Sequence, residues 1–319
     1  MIATIFDTNA YLNLVSQKNF EEVRDFVQRL KSAEVAQGYR AFIYPTVAQE
    51  LLAHMLDKQP ICKPTYTYTK TCVAIYSHCS DSKQNYFRTA PLHELQIAHA
   101  YWGIDVKPYI DTQMSYGKLL SEIERQPNCK TVAKYKKQLQ QIKDFTRDAE
   151  STYVESIEEI KRLVLQAHPG YADWASFLAD KNNKNAVTGY VNSPALKRYL
   201  AKSMIYALVI DMQAKGCRIP SKGQIEGAID IYMQDCASSL ELQQMLFSHW
   251  DDPNFDFGRP ERVNTIWDLK ILSCVGHRLN NQDEILLVTS DKKMLEAARR
   301  TMPTCKICKY EEYLMQLGL

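Results

Sequence analysis

The chain has 319 residues, of which 45% are hydrophobic and 24% charged, with a formal net charge of +2. This is ordinary globular composition, long enough for a large core and more than one domain, and it excludes a low-complexity chain. A charge so near zero leaves any nucleic-acid contact to a local basic face, and no apolar run reaches the roughly 18 residues that would suggest a membrane span.

Ile2 to Phe6 reads as a short apolar strand that ends at Asp7-Thr8-Asn9. Phe20, Val23, Phe26, Val27 and Leu30 then recur at helix spacing until Gly38 stops the pattern. Ala41 to Tyr44 reads as a second strand, broken by Pro45, and Thr46 with Gln49 forms the sequence of a capping box for a helix that carries Glu50. Residues 60–80 are polar and rich in Thr and Tyr, with Cys72 to Tyr76 as a third short strand. Helical patterns follow: Thr131 to Ala167 as a long amphipathic helix, unbroken or broken once, or as two helices forming a hairpin, then Pro194 to Gly216, Gln224 to Asp235 and Leu240 to His249. Asp251 to Pro260 is a loop with Pro253, Gly258 and Pro260 as breakers. Val263 to Leu279 reads as a helix, Ile285 to Val288 as a strand ending at Thr289-Ser290-Asp291, and Met294 to Arg300 as a helix. Lys306 to Tyr310 is a last strand and Glu311 to Leu317 a closing helix. Strands alternating with helices at both ends imply an α/β unit with a mostly parallel sheet, formed by residues 1–60 and 256–319. Residues 61–255 read as a mostly helical insertion for substrate or partner binding.

Two strands each end on an aspartate, Asp7 and Asp291. Ligands of an open parallel sheet bind outside the carboxyl ends of its strands, so the two are expected to be neighbours. Glu50 lies one turn into the helix after the second strand, and Asp268 lies in the helix before the fourth. Singly, each acid has a structural explanation: Asp7 and Asp291 as helix caps, Glu50 as a solvated helix residue. Together on one rim they repel, and a divalent cation resolves the repulsion. Mg²⁺ takes oxygen ligands and pairs a carboxylate site with substrate phosphate, which suits phosphodiester hydrolysis. Because these acids are read as lying at a rim and not in a core, alanine at Asp7 or Asp291 is expected to abolish cleavage and leave the fold intact.

The segments Ile5-Phe6-Asp7-Thr8-Asn9, Pro45-Thr46-Val47-Ala48-Gln49-Glu50-Leu51, Trp267-Asp268-Leu269-Lys270-Ile271-Leu272 and Leu287-Val288-Thr289-Ser290-Asp291 resemble those of the PIN-domain nucleases. They fall in the order that family has, and the last strand and helix around Cys308 to Leu314 are also similar to it. The resemblance covers residues 1–60 and 260–319, and residues 61–255 depart from a small PIN domain. It implies a three-layer α/β/α domain, Mg²⁺ or Mn²⁺ as cofactor, and cleavage of RNA, less often DNA. It also implies that Asp7, Glu50, Asp268 and Asp291 are the catalytic, metal-binding acids, with Thr8, Asn9 and Ser290 orienting them.

Further candidates are basic. Lys292 and Lys293 follow Asp291, while Arg259, Arg262 and Asn264 precede Asp268; all five are placed to meet substrate phosphate. Lys130, Lys134, Lys136, Lys137, Lys143 and Arg147 line the long helix as a phosphate track or a solvated face, balanced by Asp144, Asp148 and Glu150. Asp256 is a possible extra acid, and His54 stands one turn after Glu50. Nine cysteines, an odd set with a single Cys305/Cys308 pair, argue against a disulfide framework and a closed zinc site. With no basic, apolar leader at Met1 to Leu14, they place the protein in the cytoplasm. No phosphate-binding glycine loop and no GxSxG elbow occurs, and Asp7-Thr8-Asn9 lacks the second Asp of an aspartyl-phosphate phosphatase. The expected function is a metal-dependent ribonuclease with RNA as partner, no membrane, and room for a homodimer or a protein partner on the helical insertion. The alternatives are a non-catalytic PIN scaffold that binds RNA or protein and a metal-dependent phosphatase.

Overall fold

The structure is a computed structural model, and it describes residues 1–57, 64–81, 86–276, 278–279, 283–304 and 306–319. Strand β1 (Ile2–Phe6) is built of β-branched and aromatic residues and stops where Asp7 caps helix α1 (Thr8–Val15), its carboxylate accepting from the Ala10 N–H at 2.6 Å. Helix α2 (Phe20–Ala36) opens on a capping box between Asn19 and Glu22 and ends before Gly38, whose φ of 77° reverses the chain into β2 (Tyr39–Ala41). The second strand thus lies two residues before the expected span. Helix α3 (Pro45–His54) has Pro at its first position, Tyr44 as N-cap and no side-chain cap bond, so the box expected from Thr46 and Gln49 does not form.

The expected strand at Cys72–Tyr76 is instead the middle of helix α4 (Pro64–Cys79). Cys72, Val73, Ala74 and Ile75 are each fully buried, and a short run buried on every side carries no period that separates strand from helix. A small ladder follows, β3 (Ser80–Asp81) against β4 (Tyr86–Phe87), and the chain then returns to the sheet, where Thr89 bridges Ile43 in parallel. The middle is helical: α5 (His93–Trp102), α6 (Lys107–Arg125), α7 (Cys129–Lys134), α8 (Lys136–Ala167), α9 (Trp174–Ala179), α10 (Lys181–Val191), α11 (Pro194–Ala214), α12 (Lys222–Asp235) and α13 (Ala237–Phe247). The long helix is broken once, at Tyr135.

The chain then re-enters the sheet through α14 (Pro260–Val263), α15 (Thr265–Leu272), β5 (Arg278–Leu279), β6 (Asp283–Thr289), α16 (Lys292–Thr301), β7 (Ile307–Lys309) and α17 (Tyr310–Leu317). The helix expected over Val263–Leu279 therefore ends at Leu272. Gly276, at φ 86°, makes the turn toward β5, and a Cβ there would stand 2.7 Å from Met302 Sδ. Gly276→Ala is expected to cost about 1–3 kcal/mol, mostly from the left-handed backbone, since the Met302 side chain can move aside. A thermal melt checks this; an unchanged midpoint would show that the turn readjusts freely.

The fold is mixed α/β. Parallel strands run in the order β2-β1-β6-β7, and β5 pairs antiparallel with the start of β6. The first and sixth strands are adjacent, with Phe6 opposite Val288, so their carboxyl ends coincide. The core around the sheet draws in Cys72, Ile75, Leu119, Leu120, Leu139 and Ile142 from α4, α6 and the first half of α8. A second cluster joins Ile157, Leu200, Ile229, Phe247, Trp250 and Phe257. No helix among the described residues is long and apolar enough to cross a membrane.

Candidate acidic site

The pairing of β1 with β6 delivers the site. Asp7 N–H donates to Val288 O at 3.0 Å, which sets Asp7 directly against the end of β6. Its carboxylate is only 1% exposed and has two protein donors, the Ala10 N–H and the Thr289 hydroxyl. Burial pushes its pKa up to about 7; these two bonds oppose the rise, and the charges of Glu50 and Asp291 add to it. This corrects the expectation that Asp7 is a rim residue whose truncation spares the fold: alanine would remove a cap and leave the buried Thr289 hydroxyl without its acceptor.

Glu50 is half-buried on α3, and the Thr8 hydroxyl donates to it. Burial raises its pKa; Thr8 and His54 oppose the rise and Glu150 adds to it. Asp291 caps α16, accepting from Lys293 N–H at 2.6 Å and Met294 N–H at 2.9 Å. Asp268, half-buried on α15, makes no side-chain hydrogen bond among the described residues. Its pKa lies well above the carboxylate range through burial and then the charges of Glu50, Asp291 and Asp7, with Lys293 opposing the rise. Asp7, Glu50 and Asp291 thus all lie within electrostatic reach of Asp268. Among the described residues no three His, Cys, Asp or Glu side chains are grouped closely enough to hold a metal ion as they stand. Three of the four carboxylates are turned toward protein donors.

No family model, no curated protein and no solved structure matches this chain.

The expected orienting residues divide. Thr8 holds Glu50 as expected. Ser290 instead accepts from Asn13 Nδ2 at 2.8 Å, and the exposed Asn9 has no hydrogen bond to any of the acids among the described residues. The residue that links two acids is Thr289: its hydroxyl donates to Asp7 and accepts the Asp291 N–H at 2.9 Å. Strand alternation was the available signal, since consecutive residues of a strand face opposite sides.

The basic candidates also divide. Lys293 acts on Asp268, whereas Lys292 lines a groove with Leu295, Arg299, Arg300 and Lys309. Arg262 is tied into its own loop, stacked 3.8 Å over Phe255 and donating to Asp256 O at 2.6 Å. Arg259 is exposed at the start of α14, and Asn264 forms the joint between α14 and α15. Asp256 accepts from Gly258 N–H at 2.8 Å and is not among the main charges acting on Asp7, Glu50 or Asp268. His54 pairs with Asp57 at 2.5 Å, and Asp57 also takes Lys143. Lys134 is bridged to Glu122, while Lys136, Lys137 and Arg147 stay exposed on α8. Cys308 is a buried free thiol, and Cys305 lies outside the described residues.

Sequence reasoning missed Glu150 as part of the site. It reaches the acids from α8, accepting from Trp267 Nε1–H at 2.8 Å.

Proposed function

We propose that this chain is a Mg²⁺- or Mn²⁺-dependent nuclease with a PIN-like three-layer α/β/α domain, that it cleaves RNA, and that it works in the cytoplasm. The observation that carries this reading is Asp268, a carboxylate raised by burial and by Glu50, Asp291 and Asp7, each from a different element. Such mutual repulsion is costly in a merely structural site, and perturbed acids gathered at the carboxyl edge of a parallel sheet are a mark of function. The donor set fits the group: it is all carboxylate oxygen, which suits a hard cation and not zinc or copper.

Asp7, Glu50, Asp268 and Asp291 would hold the cation. Bound there, it supplies Lewis acidity, polarising a phosphoryl oxygen and lowering the pKa of a water. The chain's own residues do the rest. Thr8 orients Glu50; Thr289 couples Asp7 to Asp291; the backbone N–H groups that open α16 fix Asp291. Lys293, beside Asp268, offers its ammonium to a substrate phosphate. No side chain is required as a covalent nucleophile.

The test is cleavage of single-stranded RNA, single-stranded DNA and structured RNA with Mn²⁺ or EDTA, wild type beside Asp291→Asn, which keeps an oxygen to cap α16. Metal-dependent cutting of RNA that is lost in the variant is the expected result. Turnover of a chromogenic phosphomonoester without cutting would replace this reading with a phosphatase. Nucleic-acid binding with neither activity nor Mn²⁺ uptake would replace it with a scaffold.

A further inference from the structure

The long helix of the middle segment runs along the helix that bears Glu50. Lys143 of α8 pairs with Asp57 just past α3, and Gln49 Nε2 donates to Thr146 Oγ1 at 3.3 Å one turn nearer the acids. One further turn on, the half-buried Glu150 accepts from the Trp267 indole N–H at 2.8 Å. Trp267 is 1% exposed and immediately precedes Asp268. A buried indole N–H needs an acceptor, and a carboxylate makes the stronger, charge-assisted bond.

Asp268 makes no side-chain hydrogen bond of its own among the described residues, so its direction depends on how α15 is seated. Trp267 and its bond to Glu150 tie that helix to α8, as the Ser239 hydroxyl, donating to Leu269 O at 2.6 Å, ties it to α13. We propose that Glu150 is a positioning residue of the acidic site: through Trp267 it locks the Asp268 helix against the Glu50 helix, so the middle segment completes the site. This rests on reading the four acids as a cation site.

The test is Mn²⁺ titration calorimetry on the full chain, with thermal melts, for wild type, Glu150→Ala, Glu150→Gln, Trp267→Phe and Lys143→Met. Glu150→Ala and Trp267→Phe are each expected to weaken Mn²⁺ binding by about 10–100-fold, the usual effect of losing a group that orients a metal ligand. Their combination is expected to be no worse than either alone, because both break one bond. Glu150→Gln, which keeps the acceptor, is expected to bind within a few-fold of wild type. Lys143→Met loosens the same helix pair elsewhere and is expected to lower the melting point with affinity unchanged. If Glu150→Ala fails to fold, Trp267→Phe carries the comparison. Wild-type affinity in Glu150→Ala or in Trp267→Phe would overturn the positioning role and leave the cation site standing. Absence of Mn²⁺ binding in wild type would overturn both.

Discussion

Asp268→Asn is expected to abolish metal-dependent cleavage and, in the metal-free protein, to raise the melting temperature. Loss of a ligating charge removes several kcal/mol of stabilisation of the developing phosphate charge, so the rate is expected to fall by at least ~10³-fold. The stability effect has the opposite sign. Asp268 is raised by burial first and by Glu50, Asp291 and Asp7 next. A carboxyl whose folded pKa lies above its unfolded value penalises folding, and that penalty grows as pH rises from the unfolded value toward the folded one. Asparagine has the same shape without the charge, and there is no side-chain hydrogen bond among the described residues to lose. A gain of about 1–2 kcal/mol is the usual scale when a strained functional site is relieved. In a chain of this length that is a rise of at most about 2–4 °C per kcal/mol. Melts with EDTA and with excess Mn²⁺ check both halves: the cation is expected to raise the wild-type midpoint and leave the variant's unmoved. A variant less stable than wild type in EDTA would mean that Asp268 serves the fold and not a ligand.

Glu34→Ala is expected to lower stability by about 3–5 kcal/mol, the scale for leaving several buried polar groups without their hydrogen-bond partner. Glu34 and His78 are 1% and 0% exposed and meet at 2.9 Å. The Tyr313 hydroxyl donates to the same carboxylate at 2.7 Å, and Thr4 does so at 3.4 Å. Tyr11 meets the other His78 nitrogen at 3.1 Å, and the Phe6 ring packs edge-on against the imidazole at 5.0 Å. This network ties α2, α4, α17 and the first helix to β1. With the carboxylate gone, the imidazole and two hydroxyls are left without their acceptor in the core. The melting point is expected to drop by roughly 10 °C, while Glu34→Gln, which keeps an acceptor for Tyr313, is expected to lose less.

The same residue shapes the acid limb of stability. Burial works to raise Glu34, but His78 through its charge and hydrogen bond, then Tyr313 and Thr4, outweigh it and hold the carboxyl below its usual range. A depressed carboxyl contributes stability that is present above its unfolded pKa, about 4, and lost as pH falls through the folded value. Asp7 works the other way: with a folded pKa of about 7, well above the ordinary carboxylate range, its penalty is full above neutrality and relieved as the pH falls toward about 4. The metal-free protein is therefore expected to be more stable slightly below neutral pH than above it, and to lose stability in stronger acid. Unfolding by urea across this range checks the prediction, and Glu34→Ala is expected to flatten only the acid limb.

Local pattern alone determined much of this protein. The alternation of apolar strands and amphipathic helices announced β1, α2, α11, β6, α16, β7 and α17, because each helix repeats its apolar residues at helix spacing and each strand is a short apolar run bounded by polar or breaking residues. The four acids were legible for a related reason. Asp7 and Asp291 stand where a strand gives way to a helix, and parallel strands share one carboxyl edge, so sequence position implied spatial meeting. What lacked a local signal was decided by packing. Cys72–Tyr76 lies within a helix that the pattern could not show, because Cys72 to Ile75 are all buried and leave no period to read. The choice of Thr289 over Ser290 was made by which side of β6 faces Asp7. Glu34, one acid among several on an amphipathic helix, became a buried anchor only when α4 and α17 brought His78 and Tyr313 onto it. Glu150 joined the acids only because α8 lies along α3, a contact between residues about a hundred positions apart in the chain. Periodicity reports what one element buries; which polar groups then meet across elements depends on tertiary contacts whose energies no local pattern encodes.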